Sequence, residues 1–197
     1  MSALKEEFCK HKNEVKVFTT KNSNRQKHED IFDVNVPFLK SRNLFLRALG
    51  ELLLSPIFFI SFHYQIKRYK PDLIVFYSPS IFFGPFVNLF KKNSKILLIV
   101  RDIFPEWAES IGLIKSNIIL RYFKYFSSLQ YKVADHIAYE SEQNIKYLEK
   151  YNINQKLFRL ENWLGDRDID HAKVPHKYCK SLLHKKIIIY AGTMGHA

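Results

Sequence analysis

Short apolar runs rich in β-branched and aromatic residues alternate along the chain with longer stretches of helical periodicity. That alternation predicts parallel βα units. Strands are expected at residues 15–20, 73–78, 96–101, 136–140, 157–161 and 187–191. The clearest helix spans 118–133, where Ile118, Ile119, Tyr122, Phe123, Phe126, Leu129 and Val133 fall on one stripe and Arg121, Lys124 and Lys132 fall elsewhere. The stripe is expected to pack on a sheet. A further helix is expected over 142–151, with Ser141 placed to cap its free N–H groups.

Two apolar stretches resemble membrane spans in length. Residues 73–90 carry no charge, but Ser78, Pro79, Ser80, Gly84 and Pro85 punctuate them as a strand, a turn and the start of a buried helix. Residues 44–62 are interrupted by Arg47, Glu51 and Pro56. They read as an amphipathic helix lying on a surface or a partner, and not as a span. Lys40, Arg42 and Arg47 before this stretch, and Lys67, Arg68 and Lys70 after it, suit an anionic membrane surface.

The pattern at both ends predicts one layered α/β domain belonging to a longer enzyme. Residues 1–12 read as the last turns of a helix feeding the first strand, with no strand before it. Residues 187–191 suit a central parallel strand, yet only Gly192, Thr193, Met194 and Gly195 and two further residues follow. The expected organisation is a domain over 1–164, a polar linker over 165–185 containing Pro175, and over 186–197 the first strand and glycine loop of a second domain.

Composition narrows the class. A chain of 197 residues with 47% hydrophobic and 15% aromatic residues collapses into a globular core. Cys9 and Cys179 stand far apart without metal-ligand spacing, and no secretory leader follows Met1, so a cytoplasmic location is expected. The formal charge of +12 fits an anionic partner, although a genome-wide bias toward Lys, Asn, Ile, Phe and Tyr gives the same excess. A nucleic-acid-binding domain is the weaker reading, because no DNA- or RNA-reading signature accompanies the charge.

The most informative segment runs Ile99-Val100-Arg101-Asp102-Ile103-Phe104-Pro105-Glu106-Trp107. An apolar strand ends in a charged pair, and a proline then fits the first turn of a helix, so Arg101 and Asp102 are expected at the carboxyl edge of a parallel sheet. Ligands bind at that edge in open α/β folds. The alternative is that the pair caps the helix or bonds to itself. Gly192-Thr193-Met194-Gly195 after a strand either cradles a diphosphate or forms a plain tight turn. Asn162-Trp163-Leu164 fits an Asx turn beside a buried Trp. No nucleophile stands beside a histidine, and no paired metal ligands are visible.

Taken in order, Pro71-Asp72-Leu73-Ile74-Val75-Phe76-Tyr77-Ser78-Pro79-Ser80, the Arg101–Trp107 segment, Ala134-Asp135-His136, Ser141-Glu142, Asn162-Trp163-Leu164 and Tyr190-Ala191-Gly192-Thr193-Met194-Gly195 resemble glycosyltransferase family 4. The likeness is nearest to members that add amino or deoxy sugars, such as N-acetylfucosamine, to precursors of bacterial surface polysaccharides, including lipopolysaccharide. It implies the two-domain GT-B fold, with this chain mostly the acceptor-side, Rossmann-like N-terminal half.

The implied reaction is transfer of a sugar, with retention, from a nucleotide-diphosphate donor to a lipid-linked acceptor. It needs no metal or cofactor and takes place on the inner face of the cell membrane. The resemblance gives catalytic roles to Asp102 and Arg101, and substrate binding to Ser78, Glu106, Ser141, Asn162, Gly192, Thr193 and Gly195. Many members have His-Asp where this chain has Arg101-Asp102. The donor-binding lysine and paired glutamates of the family have no counterpart here, so the chain alone is expected to be inactive. A truncated remnant that binds only a membrane surface or a partner is the alternative.

Overall fold

The structure is a computed structural model that describes residues 2–21, 29–41, 43–78, 80–153 and 156–161. The expected strand at 187–191 and the linker lie outside the described residues. Every described element falls within one compact unit, Met1–Trp163. In chain order these elements are α1 (Ser2–Lys10), β1 (Val17–Thr20), β2 (Ile31–Val34), α2 (Leu44–Tyr69), β3 (Leu73–Tyr77) and α3 (Phe83–Asn88). They continue with β4 (Lys95–Val100), α4 (Glu106–Ser110), α5 (Asn117–Val133), β5 (His136–Tyr139), α6 (Glu142–Leu148), a 3-10 turn (Glu149–Tyr151) and β6 (Leu157–Arg159).

All the strand pairs are parallel, and the fold is α/β with a Rossmann-like arrangement of sheet and covering helices. Hydrogen bonding divides the strands into a pair, β1-β2, and a four-stranded sheet in the order β3-β4-β5-β6. Strand β2 was not expected from the sequence: it is only four residues, Ile-Phe-Asp-Val, with a charge in the middle.

Strand β4 is one of the two inner strands of the larger sheet. Ile96, Leu98, Ile99 and Val100 are all buried, as expected of a strand covered on both faces. Its amino end is tied to β5 from both directions. The Ile96 N–H donates to the Asp135 carboxylate at 2.9 Å, and the Asp135 N–H donates to the Ile96 carbonyl at 2.8 Å. The resemblance had included Asp135 as part of a motif, and here it caps the sheet.

The apolar stretch expected over 44–62 is one helix reaching Tyr69, and Pro56 lies inside it without ending it. Its residues Leu54, Phe58, Phe62 and Ile66, spaced four apart, are buried in the common core. The Phe58 ring meets Phe62 at 5.1 Å and Phe83 at 5.0 Å, while Phe62 also meets Phe18 of β1 at 5.1 Å. At the end of α2 the Tyr69 hydroxyl donates to the Glu14 carbonyl at 2.7 Å, and the Lys16 ammonium sits over the Tyr69 ring. Thus α2 serves both sheets.

Helix α5 is found where expected, but its apolar stripe is only partly inward. Phe123, Phe126, Leu129 and Val133 are partly or fully buried, whereas Ile118 is 80% exposed and Ile119 and Tyr122 also face solvent. The helix instead approaches α3 through a buried row of small and polar residues that includes Ser127 and Gln130. Gly84 of α3 makes the approach possible, since a methyl group there would stand 2.8 Å from both the backbone N and the Cα of Gln130. Gly84→Ala is therefore expected to lower stability by about 1–3 kcal/mol through overpacking against backbone. Urea unfolding measures it, and an unchanged midpoint would show that the two helices can part freely.

Candidate functional site

Parallel register brings the strand ends together. Tyr77 of β3 lies beside Ile99, and Val100 of β4 beside Tyr139 of β5. The residues that follow, Ser78, Arg101-Asp102 and Glu140-Ser141, therefore share the carboxyl edge of the sheet. Arg101 and Asp102 stand there exposed, as the sequence predicts.

The Arg101 Nε donates to Glu140 Oε1 at 2.9 Å. Arg101 is thus held by the neighbouring strand's next residue and not by Asp102. Nor does Asp102 cap the following helix, because α4 begins at Glu106 and Pro105 occupies the N-cap without a side-chain bond. The peptide bond between Phe104 and Pro105 is cis. Tyr77 is half-buried at the same edge, and burial pushes its phenol pKa up while the Arg101 charge opposes that rise.

Ser78 is 1% exposed, and its hydroxyl donates to the Asp102 carbonyl at 2.8 Å. Ser78 thereby fastens the loop after β4 to the end of β3. Glu106 is likewise turned inward, at 5% exposure. The Tyr151 hydroxyl donates to Glu106 Oε1 at 2.5 Å. Among the described residues Glu106 Oε2 and the Gln130 amide have no hydrogen-bond partner. The Tyr151 ring also packs edge-on to buried Tyr131 at 4.8 Å. Ser141 caps α6 as expected, accepting the Gln143 N–H at 3.3 Å. Asn162, Gly192, Thr193 and Gly195 lie outside the described residues.

A shallow cavity of about 280 Å³ opens after the carboxyl ends of β1 and β2, lined in part by Thr20, Lys21, Asn35, Phe38, Lys40 and Ser41. Among the described residues, none of those given a catalytic or substrate-binding role from the sequence lines it, although Lys40, read there as suited to an anionic membrane surface, does. The Arg101–Glu140 edge and this lysine-bearing hollow are separate features of the carboxyl side. Sequence reading missed Glu140, although the expected strands at 96–101 and 136–140 end in Arg101 and Glu140, and parallel pairing sets those ends side by side. Tyr151 gave no such signal, because only the tertiary fold brings it to Glu106.

Burial raises the phenol pKa of both Tyr131 and Tyr151, with the Glu106 carboxylate adding to each. The folded protein therefore keeps these phenols neutral at pH values where the unfolded chain ionises them, above about 10. Their contribution to stability is complete below that pH and is lost as pH rises further. Tyr151→Phe is expected to lower stability at neutral pH by about 1–3 kcal/mol, since Glu106 loses its donor while buried. The same change should flatten the alkaline loss. Urea midpoints across a pH series test both effects, and an equally steep loss in the variant would refute the assignment to Tyr151. Compared with protein-family models, with curated proteins and with solved structures, the chain matches none.

Proposed function

We propose that the chain is the acceptor-side half of a retaining GT-B glycosyltransferase of surface-polysaccharide synthesis, working at the cytoplasmic face of a membrane. The observation that supports this reading is the placement of the charged pair Arg101-Asp102. Both side chains are exposed at the carboxyl edge of an all-parallel sheet, where ligands bind in such folds. The ordered series of motifs supplies the family. The exposed aspartate and a cation steadied by Glu140 supply the chemistry.

In this reading the bond between the donor sugar's anomeric carbon and the diphosphate oxygen breaks, and a bond to an acceptor hydroxyl oxygen forms on the same face. Asp102 orients that hydroxyl or takes its proton. Arg101, held at a fixed angle by Glu140, faces anionic groups of either substrate and offsets the charge that develops on the departing diphosphate. The partners are a nucleotide-diphosphate sugar and a lipid-linked saccharide, with no cofactor required.

The 197-residue chain, incubated with nucleotide sugars and lipid-linked saccharides, is expected to form no product while still binding the lipid-linked saccharide. Turnover by this chain alone, or failure to bind any acceptor, would count against the half-site reading. Joined to a donor half, Asp102→Asn should lower turnover by roughly 100-fold or more. Because Asp102 is exposed, its stability effect should stay within about 0.5 kcal/mol. Near-normal turnover in that variant would remove Asp102 from the chemistry.

A further inference from the structure

The two sheets are separate in hydrogen bonding, yet they start at the same end of one helix. Tyr69, the last residue of α2, donates to the Glu14 carbonyl just before β1, and only Lys70, Pro71 and Asp72 separate it from β3. Burial raises the Tyr69 phenol pKa, and the nearby carboxylates of Glu14, Asp30 and Asp72, which precede β1, β2 and β3, add to the rise. Of the smaller pair, β1 is nearer to α2. Its Phe18 ring meets Phe62, whereas among the described rings Phe32 of β2 meets Phe18 and not Phe62. Ile74 and Phe76 of β3 join the same core as Phe58 and Phe62. A helix about 10 Å across covers two strand spacings of about 4.8 Å. Strands β1 and β3, under the two sides of α2, therefore leave the place of one strand between them.

Hydrogen bonds at the strand ends fix which backbone groups face that place. The Val17 N–H donates to Asp30 and the Lys21 N–H to Val34, so the odd-numbered residues of β1 turn to β2 while Phe18 and Thr20 turn away. The Asp72 carbonyl accepts from Lys95 and the Ser78 N–H donates to Ile99, so the even-numbered residues of β3 turn to β4 while Leu73, Val75 and Tyr77 turn away. Among the described residues no strand pairs with this side of β1 or β3. Soluble proteins blunt an open edge with a charge, a proline or a bulge. Neither Val17–Thr20 nor Leu73–Tyr77 holds a charge or a proline. Leu-Ile-Val-Phe-Tyr is the apolar run of an inner parallel strand, yet only Phe76 in it is fully buried.

We propose that the β1 and β3 edges take up one further strand, an extended apolar segment of a separate polypeptide that runs parallel to both and joins the two sheets. Its backbone pairs with Phe18 and Thr20 on one side and with Val75 and Tyr77 on the other, which is strand addition at two edges together. Charge sets its direction. Glu14, Asp30 and Asp72 are exposed at the amino ends of the strands and Lys21 is exposed beyond the carboxyl end of β1, so a segment with a cation first and an anion last is favoured. A second copy does not fit, because its edge strand brings a neighbour from its own sheet and the place between β1 and β3 admits one strand. The added strand would also set the lysine-bearing hollow after β1 and β2 on one continuous carboxyl edge with Arg101 and Glu140.

The inference stands apart from glycosyl transfer, and no saccharide enters its test. The probe is a short synthetic peptide with lysine first, alternating valine and isoleucine, and glutamate last, compared with the same residues in reverse order. Amide exchange of the 197-residue chain is followed by NMR with and without each peptide. The forward peptide is expected to slow exchange at the Phe18, Thr20, Val75 and Tyr77 N–H groups by at least about tenfold. The Ile74 and Phe76 N–H groups, already bonded to β4, should not change. The reversed peptide should bind at least about tenfold more weakly, since each of its end charges meets its like. Val75→Pro removes one outward N–H without taking a bond from the β4 ladder, and should weaken binding of the forward peptide about tenfold. Even if that variant fails to fold, the exchange pattern of the unaltered chain decides the matter. No slowing, equal slowing of all the β3 amides, or equal binding of the two peptides overturns the proposal. So does slow exchange at the outward N–H groups before peptide is added, whether β1 closes directly on β3 or, where the protection grows with protein concentration, a second copy covers the edges.

Discussion

Parallel pairing of β4 between β3 and β5 is the constraint from which the remaining architecture follows. A parallel ladder leaves neither face of a central strand open to water, so consecutive residues of β4 are buried and not only alternate ones. Apolar cover is then required on both sides. Helices α2, α3 and α5 supply part of that cover, and α3 and α5 pack closely only because Gly84 has no side chain to strike Gln130. The same ladder fixes what meets at the carboxyl edge. Once Val100 lies beside Tyr139, Arg101 and Glu140 are neighbours without any further design.

The smaller sheet depends on the larger one through α2. Two short parallel strands form a marginal structure alone. Strands β1 and β2 have no fully buried residue, and their Phe18 and Phe32 rings stack on each other at 5.2 Å. What holds the pair is Phe62 of α2 against Phe18, together with the Tyr69 tie to the segment before β1. Loosening α2 would therefore detach β1-β2 before it disturbed β3–β6. The hollow between the ends of β1 and β2 would change first.

The sequence made the βα alternation legible because buried parallel strands are continuous apolar runs. Strands β3, β5 and β6 fall within the expected segments, and β4 begins and ends one residue before its own. Strand β2 escaped because its alternation is too short to stand out from the polar residues before it. Helix α5 was legible in extent but not in orientation: a stripe of apolar residues gives a face, and nothing local says which part of it protrudes beyond its partner. At the site, Arg101 and Asp102 were placed correctly at the edge because a strand's end can be read from the run that precedes it. Ser78 and Glu106 sit in the same motifs, yet their side chains turn inward to bonds with residues 24 and 45 positions away. Spacing along the chain carries no information about such contacts.

That division between inward and outward polar residues separates those that hold the fold at this edge from those that do not. The Arg101–Glu140 pair is exposed enough for solvent to screen it, with Arg101 at 53% side-chain exposure, and a pair of that kind contributes at most about 1 kcal/mol. Its geometry therefore cannot be what keeps the sheet together. The hydroxyl of Ser78 satisfies a backbone carbonyl from a buried position, and Tyr151 gives a buried carboxylate its hydrogen bond, so both carry real structural weight. Ser78 anchors the β4–α4 loop from a buried position, so the exposed Arg101–Glu140 pair is not needed to hold that loop. The exposed residues of the carboxyl edge can then be set by whatever ligand meets it, without cost to the fold.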